Sequence, residues 1–67
     1  MTRILGIDPG SRKTGFGVIE RIGGKVAYIT SGVIRVPEGS LPERLKVVFD
    51  AITQIVQQQR PDVVAIE

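Results

Sequence analysis

Cysteine, histidine and tryptophan are all absent from this 67-residue chain. Each absence closes a class of chemistry. Without cysteine there is no disulfide, thiol nucleophile or thiolate metal site. Without histidine there is no Ser-His-Asp triad, no Cys/His zinc site and no imidazole general base. Aromatic residues are limited to Phe16, Tyr28 and Phe49, too few to support a single-strand binding surface built on base stacking. The chain also lacks a long apolar run, and Met1-Thr2-Arg3 leads straight into a short apolar stretch. Neither a signal peptide nor a membrane span is therefore expected, and a cytoplasmic location is the default. Nine basic residues against seven acidic ones give a net charge of +2, too slight to indicate nucleic acid by itself. Chemistry has to run on carboxylates, hydroxyls, lysine and arginine.

What is present is a pair of strand-like apolar segments that each finish on an acid: Ile4-Leu5-Gly6-Ile7-Asp8 and Val63-Val64-Ala65-Ile66-Glu67. A buried strand has no structural use for a terminal carboxylate, because an unpaired charge leaving water is costly. Two such acids brought together repel unless a cation lies between them. Mg²⁺ suits the pattern, since one or two carboxylates commonly hold it while water and phosphate oxygens fill the remaining positions.

The organisation between those two acids is compact. Arg3 to Asp8 reads as a strand apolar on both faces, with Ile4 on one side and Leu5 and Ile7 on the other. Pro9-Gly10-Ser11 breaks it. Thr14 to Ile22 reads as a second strand, carrying Gly15 and Gly17 where a ligand or another backbone can approach. Gly23-Gly24 is a two-residue hairpin signal into a third strand, Val26 to Val36. Pro37-Glu38-Gly39 ends that strand, and Ser40 with Glu43 predicts a capping box at the start of a helix. Leu41, Leu45, Val48, Phe49, Ile52, Ile55 and Val56 fall at helical spacing, which predicts one stripe buried on a sheet. Pro61 stops the helix, and Asp62 enters the last strand. In that strand Val63 and Ala65 point one way and Val64 and Ile66 the other, as in a central strand covered on both faces.

The order β-β-β-α-β is an α/β arrangement: an antiparallel meander followed by a helical crossover. The right-handed crossover rule allows the fourth strand to lie parallel to and beside the first. Asp8 and Glu67 then reach the same end of neighbouring strands. A chain of this length forms at most one domain and buries only about 60% of its unfolded surface. One helix covers one face of the sheet, so residues 1–67 are expected to be the N-terminal part of a single domain that continues past Glu67.

Plainer roles stand beside these. Asp8 in Asp-Pro-Gly is common turn chemistry and could bond nearby amides, and Glu67 could be a solvated end. The basic turn Ser11-Arg12-Lys13 could contact phosphate through backbone N–H groups and side-chain charge, or form a solvated hairpin tip. It is no P-loop, because the glycine spacing differs and a strand follows where a helix should. Pro42-Glu43-Arg44-Leu45-Lys46 reads chiefly as the solvated face of an amphipathic helix.

Five segments together carry a resemblance: Ile4 to Ser11, Thr14 to Ile19, Ser31 to Arg35, Leu41 to Lys46 and Pro61 to Glu67. In combination they resemble the bacterial RuvC family of Holliday-junction resolvases, along the whole chain. The resemblance implies a ribonuclease H-like fold and a homodimer that cuts four-way junction DNA symmetrically in recombination and repair. It implies two Mg²⁺ ions in the complete site, with Mn²⁺ as a substitute, and cooperation with the RuvAB branch-migration machinery. Asp8 aligns with the family's first catalytic, metal-holding acid and Glu67 with its second. Two further acids of the family lie on a later helix, beyond these residues, so this segment alone is expected to be inactive. Two rivals share the strand-acid-turn-strand element: an actin-like or sugar-kinase-like ATPase, and a resolvase-like nuclease that processes RNA.

Overall fold

The computed structural model describes residues 1–67. Four strands and one helix follow in the order β1 (Thr2–Asp8), β2 (Lys13–Ile22), β3 (Lys25–Arg35), α1 (Leu41–Gln59) and β4 (Val63–Ile66). They form one mixed sheet in the spatial order β3-β2-β1-β4. β1 pairs antiparallel with β2 and parallel with β4, and β2 pairs antiparallel with β3. The meander, the crossover helix and a fourth strand parallel to and beside the first are as the sequence predicts.

The hairpin between β2 and β3 turns on Gly23 and Gly24, with Ile22 paired to Lys25. Gly23 has φ +59, the left-handed region that a type II′ turn places at its first central residue.

Register separates the two faces of the sheet. Leu5 pairs with Val18 and Ile7 with Phe16, so these side chains share the face under α1. Leu5, Ile7 and Val18 are the buried apolar core, and Phe16, Ile29, Ile52 and Ile55 pack against it. The phenyl ring of Phe16 lies over Gly32, where a Cβ would come within 2.9 Å of the ring. On the opposite face stand Ile4, Gly6, Gly15, Gly17, Val63 and Ala65, and no element of these residues covers them.

One expectation is corrected here. The helical stripe is only partly buried: Val48, Ile52 and Ile55 are half-buried, joined by Val47 and Ala51, whereas Leu41, Leu45, Phe49 and Val56 are exposed. At 100° per residue Leu45, Phe49 and Val56 lie on one flank of the stripe, whereas Leu41 lies within it at the first turn of the helix. Among these residues β4 has β1 as its one neighbour in the sheet, and all four of its residues are exposed.

The capping box is half made. Ser40 Oγ accepts from the Glu43 N–H at 3.4 Å, but no bond returns from Ser40 N–H to Glu43, whose carboxylate lies against Gly39 instead. At the other end Arg60 adopts φ 48 and ψ 59, and its N–H donates to the Val56 carbonyl at 2.8 Å.

Arg3 ties the ends of several elements together. Its N–H donates to Asp62 Oδ2 at 2.8 Å, and its carbonyl accepts from the Asp62 N–H at 2.8 Å, which starts the β1–β4 ladder. Its guanidinium donates to the Gln59 carbonyl at 2.7 Å and lies 3.3 Å from Glu20 Oε2. One side chain thus joins β1, β2 and the end of α1.

Candidate active site

The parallel pairing of β1 with β4 decides where the two strand-terminal acids lie. Ile4, Leu5, Gly6 and Ile7 pair with Val63, Val64, Ala65 and Ile66 in turn. One step further come Asp8 and Glu67, and the ladder extends to them: the Glu67 N–H donates to the Ile7 carbonyl at 3.2 Å. Neighbouring strands lie about 4.8 Å apart, so the two residues are lateral neighbours. By alternation both belong to the uncovered face.

Asp8 and Glu67 line one cleft of about 330 Å³, together with Gly6, Gly15, Phe16 and Ala65. Its floor is nearly bare. Asp8 pairs with Gly15, Gly6 pairs with Gly17 and Ala65, and a Cβ at Gly15 or Gly17 would meet nothing within 4 Å. Both acids are exposed. Neither makes an ion pair, and neither side chain accepts a hydrogen bond. The Asp8 carboxylate thus bonds no amide of the turn that follows it.

Other contacts hold the turn after Asp8. The Val36 N–H donates to the Arg12 carbonyl at 2.9 Å, and Arg44 Nη2 donates to the Ser11 carbonyl. Gly10 sits so close to the chain ahead that a Cβ there would lie 2.3 Å from the Lys13 carbonyl oxygen. Only glycine fits that approach.

The basic turn residues do not stay together. Ser11 and Arg12 line a second cleft of about 350 Å³ with Val36 to Gly39 and Arg44. Lys13 is the first residue of β2, exposed and paired with Arg35, and it lines neither cleft. Arg44 joins the turn from the first helical turns, a segment whose charge pattern suggests a solvated face. No sequence spacing links position 44 to position 11; the crossover brings them together.

The two carboxylates fit a hard divalent cation. Oxygen donors from two adjacent strand ends, uncommitted to any basic group, match the one- or two-carboxylate sets that leave other positions to water and phosphate. No group of three or more acidic, histidine or cysteine residues that could hold a metal occurs in the chain, so these residues furnish at most part of an all-protein ligand set.

Residues 4–67 match the family model described as crossover junction endodeoxyribonuclease RuvC. The chain is 55% identical over 65 residues to the crossover junction endodeoxyribonuclease RuvC of Thiobacillus denitrificans, covering 97% of this chain and 38% of that protein. It is 58% identical over 66 residues to that of Cupriavidus metallidurans, covering 97% and 36%. The structure of T. thermophilus RuvC in complex with a Holliday junction substrate superposes with a TM-score of 0.86 at 26% identity, covering 98% of this chain and 41% of that one. The chain thus spans about two fifths of the length of the relatives it matches. The four-stranded mixed sheet with its single crossover helix is the corresponding portion of their ribonuclease H-like fold. With two uncommitted carboxylates at adjacent parallel strand ends, and a family match running from residue 4 to residue 67, the chain belongs to the RuvC family of crossover junction endodeoxyribonucleases.

Proposed function

We propose that these residues form the first part of the active site of a metal-dependent endonuclease that resolves four-way DNA junctions. One observation carries this reading: Asp8 and Glu67 lie side by side just beyond the paired Ile7–Ile66 rung, on an uncovered face, with no basic partner. In this reading they hold Mg²⁺, or Mn²⁺ in its place, with further acids supplied from outside these residues. A divalent ion bound there would polarise a phosphodiester oxygen and supply a water acidic enough to attack at neutral pH.

The chain's own residues contribute position and access. Asp8 is fixed by its pairing with Gly15 at the end of β1, Glu67 by its backbone bond to Ile7, and the glycine floor leaves space for a backbone strand to approach. Ser11 and Arg12, three and four residues after Asp8, would meet the phosphates flanking the reacting one, with Lys13 a more distant contact. A homodimer with two-fold symmetry would place two such sites on the symmetric junction and yield paired nicks. The match to RuvC relatives favours this over an actin-like ATPase or an RNA-processing nuclease.

The experiment is cleavage by a full-length enzyme carrying this segment, with four-way junction, linear duplex and ATP as parallel substrates. Paired nicks confined to the junction, dependent on a divalent ion and reduced at least about a hundredfold by Asp8→Asn with junction binding retained, are the expected result. Equal cutting of linear duplex, ATP hydrolysis, or an active Asp8→Asn variant would overturn it.

A further inference from the structure

The turn from Pro9 to Arg12 separates two clefts of opposite character. On one side lie Asp8 and Glu67. On the other, Arg12 and Arg44 converge on a cleft of about 350 Å³ whose rim also carries Glu38. The chain's two ion pairs are Arg3–Glu20 and Lys46–Asp50, so neither Arg12 nor Arg44 has a carboxylate within 4.0 Å, Glu38 included. Arg44 spends one donor on the Ser11 carbonyl and has four of its five N–H groups left. Because that bond also anchors the turn, Arg44 is held in place, and a held guanidinium loses little entropy on binding.

We propose that Arg12 and Arg44 form a binding site for one backbone phosphate of the nucleic acid, separate from the phosphate at the carboxylates. This rests on the nuclease reading above. Ser11 follows Asp8 by three residues, which span at most about 11 Å. The two clefts border one short turn, so the second phosphate lies within a few nucleotides of the reacting one. The planar fork of a guanidinium suits phosphate oxygens. A strand held on both sides of one rigid turn has its direction across the carboxylates fixed. Arg44 therefore both positions the turn and contacts the strand.

The test is the salt dependence of junction affinity, measured without divalent ion on full-length enzyme carrying Arg12→Gln, Arg44→Gln or Arg44→Lys. Each lost phosphate contact lowers the slope of log K against log salt by about 0.7 to 0.9. Both glutamine variants should show that drop with weaker binding at low salt, and Arg44→Lys should restore most of the slope. A wild-type slope in either glutamine variant overturns the two-arginine site; if Arg44→Gln alone keeps it while cleavage falls, Arg44 is only a brace. Arg12 is exposed on the turn, so its substitution does not endanger the fold. The two readings fail separately: a slope drop in an enzyme that cuts no junction leaves the phosphate site standing and removes the junction function.

Discussion

Glu67 donates its N–H to the carbonyl of Ile7, the residue just before Asp8, at 3.2 Å. That bond makes the two acids neighbours by backbone geometry, although they stand 59 positions apart in the sequence. The site is therefore only as well placed as the β1–β4 ladder and the turn that follows Asp8.

Gly10→Ala should disturb the turn without touching the core. A Cβ at position 10 would sit 2.3 Å from the Lys13 carbonyl oxygen, and backbone cannot yield as a side-chain tip can. The expected cost is about 1–3 kcal/mol, read as a lowered melting temperature, with cleavage impaired beyond what that loss explains. Wild-type stability and activity in this variant would mean that the turn is not tightly held.

Arg3→Ala removes three contacts at once: the pair with Glu20, the bond to the Gln59 carbonyl and the packing of its stem. Glu20 is 9% exposed, and its Oε2 has no aligned hydrogen-bond donor beyond the ion pair, so losing Arg3 strands a carboxylate away from water. Leaving such a group unpaired costs about 1–3 kcal/mol, more when it is charged. Denaturant titration should show a destabilisation of about 2 kcal/mol or more, and Glu20→Gln in the same background should recover part of it. If the single variant unfolds with wild-type stability, Arg3 is not the tie between sheet and helix end.

Much of this fold is legible in the sequence, and the exceptions share a cause. Strand-terminal acids, the Gly23–Gly24 hairpin, the Pro61 stop and the crossover rule together bring β4 alongside β1 and predict the Asp8–Glu67 pairing. Local patterns do not say which part of an apolar stripe meets the sheet. Leu41, Leu45, Phe49 and Val56 share helical spacing with Ile52 and Ile55 yet remain exposed, because burial depends on where the helix rests. The same limit hides Arg44, whose partner Ser11 lies 33 positions away, and Arg3, whose polar partners lie on β2, at the end of α1 and in the lead to β4. Chain proximity carries no signal for either.

Arg60→Gly should stabilise the protein. Arg60 closes α1 in the left-handed region, at φ 48, where a side chain costs roughly 1 kcal/mol relative to glycine. Its N–H bond to Val56 is a backbone bond and survives the substitution. A gain of about 0.5–1 kcal/mol in thermal or urea unfolding is expected, with no change in cleavage. A loss of stability would show that the Arg60 side chain contributes more than its backbone costs.

The most direct test of the shared metal role of Asp8 and Glu67 is Mn²⁺ binding, followed by electron paramagnetic resonance, to full-length enzyme carrying Asp8→Asn, Glu67→Gln or both. If the two acids hold one ion between them, each single variant weakens the same site by about tenfold or more, and the pair shows strong coupling instead of simple additivity. Mn²⁺ binding unchanged by Glu67→Gln, or independent losses that add, would contradict a shared site and leave the two strand ends as neighbours with no common ligand.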